Sequence, residues 1–180
     1  MFMTNDLLVV VDMQKDFIDG ALANKSAQAI VDAVCTRIMH HQGPVYYTLD
    51  THEDNYLQTQ EGHHLPIEHC LRGTAGWALD EKIARALKMQ NATPFEKNTF
   101  GSTALAHAIA KENAARPFTS ITLIGVCTDI CVISNALLIK ACVPNVPVYV
   151  NADLCAGVTP ESHQTALDAM AACQVVITHE

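Results

Sequence analysis

The sequence predicts an α/β protein, a three-layer α/β/α sandwich around a six-stranded, mostly parallel sheet. Strand-like segments alternate with helix-like segments six times over, the pattern of a parallel sheet with helices on both faces. The clearest strands, residues 7–11 and 121–126, are near-continuous apolar runs, as expected of strands buried on both faces. With 180 residues and no internal repeat, low-complexity tract or linker, the chain suits one domain spanning 1–180.

Taken in order, the first strand stops at Asp12. A polar connection with Phe17 inside it runs to Gly20. Ser26 can cap a helix reaching about His41, with Ala27, Ile30, Val31, Val34 and Ile38 near helical spacing. Gly43-Pro44 breaks that helix, and the second strand, residues 45–49, stops at Asp50. Residues 51–77 are polar and irregular, hold His52, His63, His64 and His69, and read as a functional loop insertion. A helix is predicted over 78–89, a short strand over 93–97 ending at Lys97, and a helix over 102–115 with Thr99 or Ser102 near its cap. The strand at 121–126 leads through a polar turn into a helix just after Cys131. Residues 148–150 give a fifth strand ending near Asp153. Pro160, suited to a first helical turn, opens a helix to about Ala172, and 175–177 is the last strand.

Composition narrows the function. A net charge of −8 without a Lys/Arg cluster argues against nucleic acid or an anionic membrane as partner. No apolar run is long enough to span a bilayer, and the first residues lack the basic region and cleavage site of a leader. Seven scattered cysteines, an odd number, point to reduced thiols and a cytoplasmic setting instead of a disulfide framework. The connection from Asp12 to Gly20 is rich in carboxylates and offers no glycine cradle for phosphate, which argues against flavin mononucleotide and dinucleotides. There is no Walker motif and no Gly-x-Ser-x-Gly elbow. Cys127 and Cys131 have the wrong spacing for a thioredoxin-type pair.

The polar residues that end strands are the candidates for chemistry. In an open parallel sheet, ligands bind beyond the carboxyl ends of the strands. Asp12, Asp50, Lys97 and Cys131 each follow such an end. Cys131 also sits at a helix start, where unpaired N–H groups favour a thiolate and lower its pKa. Asp12 can take the thiol proton if burial or a nearby thiolate raises its own pKa, and Lys97 can orient Asp12 and offset negative charge. Asp50 and His52, two apart as they leave a strand, can chelate a metal together with His69. Two imidazoles and a carboxylate suit zinc, iron or manganese and leave coordination positions open. Glu61, His63 or His64 can supply a fourth ligand.

These segments resemble the isochorismatase-like cysteine hydrolases, and among them the nicotinamidases. The resemblance rests on Val10-Val-Asp12-Met-Gln-Lys-Asp16-Phe17, Thr48-Leu-Asp50-Thr-His52, Pro66-Ile-Glu-His69-Cys70-Leu-Arg-Gly73-Thr74-Ala-Gly76, Glu96-Lys97-Asn-Thr-Phe100-Gly-Ser102 and Gly125-Val-Cys127-Thr128-Asp129-Ile-Cys131-Val132. They occur in family order across nearly the whole chain. The resemblance implies the isochorismatase-like fold, with Cys131 as nucleophile, Asp12 as its base and Lys97 as third member of the triad. It implies an oxyanion hole from the N–H groups of Cys127 and Cys131, with a cis peptide between Val126 and Cys127. Phe17 would help line the substrate pocket. Asp50, His52 and His69 would hold one divalent metal, zinc first, with iron and manganese as alternatives. Some nicotinamidases carry another histidine shortly after the Asp-x-His pair. Residues 53–60 have none, so Glu61 is the expected extra ligand, with His63 and His64 behind it. The implied activity is hydrolysis of nicotinamide to nicotinate and ammonia in NAD salvage, the alternative being a related amidase for another small amide. The apolar helix after Cys131 is compatible with a homo-oligomer.

Overall fold

A computed structural model describes residues 5–179; residues 1–4, part of the stretch read as lacking a leader, lie outside it. The strands are β1 (Asp6–Val11), β2 (Val45–Asp50), β3 (Thr93–Lys97), β4 (Ser120–Val126), β5 (Val148–Ala156) and β6 (Val176–Thr178). They form one sheet in the order β3-β2-β1-β4-β5-β6, and every adjacent pair is parallel. The chain winds outward from β1 to β3, then returns to the other side of β1 as β4. The reversal lies between β1 and β4, where the register runs from Asp6 opposite Ser120 to Val11 opposite Gly125. Crevices at the carboxyl ends of such reversals are the usual ligand sites of this architecture.

Among the described residues the helices are α1 (Lys15–Ile18), α2 (Lys25–His40), α3 (Gln60–His64), α4 (Glu81–Met89), α5 (Thr103–Ala115), α6 (Ile133–Cys142) and α7 (Pro160–Ala172), with α2, α4, α5, α6 and α7 packed on the sheet. Alternate β1 side chains enter opposite cores. Leu7, Val9 and Val11 pack with Leu105, Ile109, Ile139 and Leu167 from α5, α6 and α7. Leu8 and Val10 pack with Val34, Ile38, Ile83 and Leu87 from α2 and α4. Both cores being dry, β1 has no solvent face, which is why its sequence is an apolar run.

Several boundaries shift for local reasons. Helix α2 begins at Lys25 because Asn24, not Ser26, is the cap, its side chain accepting from the Ser26 N–H at 2.8 Å. Helix α4 waits for the Asp80 cap, three residues beyond the predicted start at Ala78. Strand β5 runs to Ala156, past the polar Asn151 and Asp153, because the β4 partner continues to Val126 and a register shift absorbs the irregular stretch. The 51–77 loop is more ordered than its sequence suggests, with a 3-10 turn (Tyr56–Gln58) packed against α3. A side chain at Gly62 would place its Cβ 2.1 Å from the Tyr56 carbonyl oxygen, so only glycine lets these two turns touch. All seven cysteines are free thiols. Among the described residues no helix is long and apolar enough to cross a membrane.

Candidate active site

Four strand ends deliver the site. Asp12 follows β1 with a left-handed φ of 48°, a conformation uncommon outside glycine and frequent at functional positions. That turn aims its carboxylate back under the sheet end, where it is fully buried. Thr48 of β2 donates to Asp12 Oδ1 at 2.6 Å, and the Asp12 N–H donates to the Thr48 hydroxyl at 3.2 Å. Lys97, the last residue of β3, places Nζ 2.7 Å from Asp12 Oδ2, 3.1 Å from Asp50 Oδ1 and 3.5 Å from Cys131 Sγ. The ammonium donates to Asp50 Oδ1 and Cys131 Sγ, and its contact with Asp12 Oδ2 is an ion pair.

Cys131 is carried by the turn after β4. The peptide between Val126 and Cys127 is cis, and residues Thr128–Val132 form a π-helical turn that runs into α6. The Cys127 carbonyl accepts from the N–H groups of Ile130 and Val132 at 3.1 and 3.0 Å, which folds the turn tightly under the thiol. Gly125 precedes it with φ 115°, and a Cβ there would lie 2.2 Å from the Val11 carbonyl oxygen. Glycine thus lets β4 approach β1 where the Asp12 and Cys131 side chains must meet.

The electrostatics correct one expectation. The helix start does not leave Cys131 with a lowered pKa: burial, then the Asp12 charge, push the thiol well above its ordinary value, with Lys97 pulling the other way. Burial likewise raises the Asp12 carboxyl, against the pull of Lys97. Burial disfavours the Lys97 ammonium, but Asp12, Cys131 and Asp50 outweigh it and hold the group charged. Burial thus favours the neutral forms of Cys131 and Asp12, while the Lys97 ammonium beside both favours their charged forms.

A second group sits across the same cavity. One ligand atom from each of Asp50, His52, Glu61 and His69 lies within 4.8 Å of all the others. Asp50 Oδ2 is 3.1 Å from His52 Nε2 and 3.6 Å from His69 Nε2, and Glu61 Oε1 is 3.8 and 3.7 Å from the same two nitrogens. Ligands about 2.0–2.1 Å from a tetrahedral ion are roughly 3.3 Å apart, so the spacing fits a first-row divalent cation. The donor chemistry fits as well. His69 Nδ1 lies 2.8 Å from the Ile67 carbonyl oxygen, which can only accept, so Nδ1 carries the proton. In the neutral ring this leaves the Nε2 lone pair facing two carboxylates, a set that a cation satisfies. Asp50 is shared: Oδ2 faces the histidines while Oδ1 meets Lys97, which ties the metal cluster to the thiol site.

The loop delivers these ligands by backbone pairing. His52 pairs in parallel with Leu71, its N–H donating to the Cys70 carbonyl at 3.0 Å and its carbonyl accepting from Arg72 at 2.8 Å. Asp16 anchors that strand-like segment by accepting from the Cys70 N–H at 2.7 Å. Tyr56, fully buried, stands edge-on to both imidazoles, at 4.7 Å from His52 and 5.0 Å from His69. Helix α3 turns Glu61 inward, whereas His63 and His64 are exposed, and His64 Nδ1 meets the Gln60 carbonyl oxygen. Phe17 lines the cavity and meets His69 edge-on at 5.8 Å. Phe17, Asp50, His52, Glu61, His69, Lys97, Cys127 and Cys131 all border one cavity of about 1190 Å³, as does His64, whereas Asp12 and His63 do not line it.

A family model described as the isochorismatase domain matches residues 6–180. The chain belongs to the isochorismatase family. This family member has solved relatives of nearly equal length. A pyrazinamidase/nicotinamidase from Streptococcus mutans is 24% identical with a TM-score of 0.81, over 96% of this chain and 99% of that one. A pyrazinamidase of Pyrococcus horikoshii, solved in complex with zinc, is 26% identical with a TM-score of 0.76, over 98% and 99%. PnC1 from L. infantum, solved with nicotinate, is 22% identical with a TM-score of 0.83, over 98% and 93%. No curated protein matches the sequence. The family assignment makes this chain an isochorismatase-family hydrolase with the α/β fold predicted from sequence.

Gln14 and Thr48 stand in the quoted segments without an assigned role, and Tyr56 went unnoticed. Gln14 is fully buried; its side chain accepts from the Asp50 N–H at 2.7 Å and donates to the Asp50 carbonyl at 2.9 Å and to that of Trp77 at 2.8 Å. It thus clamps the strand end that carries Asp50. A glutamine beside an apolar strand was the available signal, but nothing in its spacing named a partner.

Proposed function

We propose that this isochorismatase-family hydrolase is a nicotinamidase, converting nicotinamide to nicotinate and ammonia through a cysteine thioester, and serving NAD salvage. The observation that carries the reading is the juxtaposition of a buried Asp12–Lys97–Cys131 set and a four-ligand cluster on one cavity. The zinc in the P. horikoshii pyrazinamidase and the nicotinate in the L. infantum protein support it. A divalent ion held by Asp50, His52, Glu61 and His69, zinc for choice, supplies a Lewis-acid position suited to a pyridine nitrogen. Phe17 would then flank the ring, and the carboxamide would point toward Cys131.

Asp12 accepts the Sγ proton as sulfur bonds to the amide carbon and the carbonyl electron pair moves to oxygen. The N–H groups of Cys127 and Cys131 receive that oxyanion, a contribution often worth about 2.7–4 kcal/mol per donor. Lys97 keeps its charge throughout and holds Asp12 in place. Asp12 returns the proton to nitrogen, the C–N bond breaks, and ammonia leaves a thioester. Water then adds to the acyl carbon while Asp12 takes its proton. The C–S bond breaks, nicotinate departs, and the Asp12 proton restores the thiol.

The test is ammonia release from nicotinamide by the purified protein, with chelator and with added zinc, iron or manganese. Turnover that is lost with chelator, restored by metal and abolished in Cys131→Ala with metal content unchanged is the expected result. Turnover persisting in Cys131→Ala would sink the scheme. The cavity volume favours one second reading: about 1190 Å³ exceeds the roughly 300–1,000 Å³ of typical drug-sized sites, so a related amidase for another, bulkier amide also fits. A panel of amides in the same assay separates the two by their kcat/KM.

A further inference from the structure

Asn135, on the first turns of α6, takes no part in the chemistry above, yet it is fully buried and its amide reaches both arms of the site. Nδ2 donates to the Cys131 carbonyl at 2.8 Å and to the Phe100 carbonyl at 3.2 Å, while Oδ1 accepts from the Ser102 N–H at 2.9 Å. One partner belongs to the nucleophile. The other two belong to the segment that continues from Lys97 and opens α5. Phe100 itself lines the cavity and is about half exposed at 47%. The segment lies so close to α6 that a Cβ on Gly101 would come within 3.1 Å of the Ser134 carbonyl oxygen.

We infer that Asn135 is a positioning residue, which fixes the Lys97 arm against the Cys131 turn by hydrogen-bonding the backbone of both. The inference rests on the hydrolytic reading of Cys131 and Lys97 proposed above. The geometry explains why an amide stands here. The two backbone carbonyls need donors and the Ser102 N–H needs an acceptor. Asparagine is the smallest side chain that offers two donated protons and an acceptor in one plane. A buried apolar residue of the same volume would leave three polar groups unpaired. The Lys97–Cys131 distance of 3.5 Å depends on the two arms staying in register, and errors of about 1 Å in such a constellation can cost on the order of a hundredfold in rate.

The experiment compares Asn135→Asp and Asn135→Ala with wild type for nicotinamide turnover, each assayed well below its own melting temperature with metal content measured. Asn135→Asp keeps the shape and the acceptor but loses both donations. The expected result is a fall in kcat of at least about tenfold in both variants, with KM within about threefold of wild type and metal content unchanged. Folded variants with wild-type kcat would overturn the inference, because the donations to the Cys131 and Phe100 carbonyls would then be dispensable. A measurement on the unmodified protein stands beside it. Ser102 caps α5, a position whose N–H is ordinarily open to water, so the Asn135 bond predicts slow hydrogen exchange at that amide. Exchange at the rate of an unprotected amide would refute the clamp even if both variants failed to fold. Should the wild type release no ammonia, the nicotinamidase reading falls while the Ser102 amide still decides Asn135.

Discussion

Replacing Lys97 by methionine removes one charge and almost no volume, and the structure sets the size of the effect. The Lys97 side chain is 1% exposed and neutralises two carboxylates, Asp12 and Asp50, that water barely reaches. Removing one partner of a buried ion pair typically costs about 3–5 kcal/mol, because the other charge stays behind without compensation. In a chain of this size that corresponds to a fall in melting temperature of roughly 6–20 °C. The loss should depend on pH. Asp12 is already raised by burial, and without Lys97 it holds its proton to higher pH still. The unfolded chain releases that proton near its ordinary value of about 3.9. Between the two values the folded state binds more protons, so stability contributed by protonated Asp12 is present at low pH and lost as pH rises through the folded pKa. The deficit of Lys97→Met against wild type should therefore be larger at pH 8 than at pH 5. Urea unfolding with chelator present throughout, followed by fluorescence of Trp77, the sole tryptophan, gives both numbers. A deficit below about 1 kcal/mol at pH 8, or one that grows toward acid, would refute the assignment of Lys97 as the neutralising charge.

Glu61→Gln should weaken zinc binding by at least about tenfold in a competition titration, whereas His64→Ala should leave it unchanged, since Glu61 faces His52 and His69 and His64 does not. His41 is held below its ordinary pKa, chiefly by burial and also by the nearby Arg37. Its Nε2–H meets the Asp6 carbonyl oxygen at 2.9 Å, and Nδ1 accepts from Arg37 at 3.1 Å. The neutral ring is the folded form, so the stability it contributes is present above pH about 6.5 and lost as pH falls toward the lowered value. Thermal melts of His41→Asn between pH 7.5 and 5 should show a shallower acid decline than wild type. Gly125→Ala should lose about 1–3 kcal/mol from its backbone conformation alone, and its Cβ would force β4 away from Val11, so kcat should fall together with the melting temperature.

The layered fold was legible because Leu7, Val9 and Val11 enter one core while Leu8 and Val10 enter the other, which leaves a recognisable run of apolar residues. Asp12, Asp50, Lys97 and Cys131 were legible for the complementary reason, as polar residues standing where such runs stop. Strand β3 was fainter, because it lies at the sheet edge and carries Pro94 and exposed side chains. Glu61 was already expected ahead of His63 and His64, but the short helix α3 that turns it inward was not, since five residues with a glycine inside give no period to detect. The roles of Gln14, Tyr56 and Asn135 could not be read because their partners are backbone groups or rings, most of them distant in sequence, and the near ones, His52 for Tyr56 and the Cys131 carbonyl for Asn135, meet them only once the chain has folded. A hydrogen bond to a carbonyl leaves no trace in the identity of the residue that supplies it.

The reversal between β1 and β4 also fixes when the site can exist. Asp6 and Ser120, which begin the pairing, are 114 residues apart in the chain. A nascent chain that has completed β1, β2 and β3 already carries Asp12, Asp50, His52, Glu61, His69 and Lys97, but Cys131 is still unsynthesised. Closing so long a loop into a parallel pair is slow, because the entropy of closure is spent before the contacts form. On the nicotinamidase reading proposed above, ammonia release is a clock for the last long-range pairing. A substitution that retards folding at unchanged stability will appear as a lag before full activity, with the final rate intact.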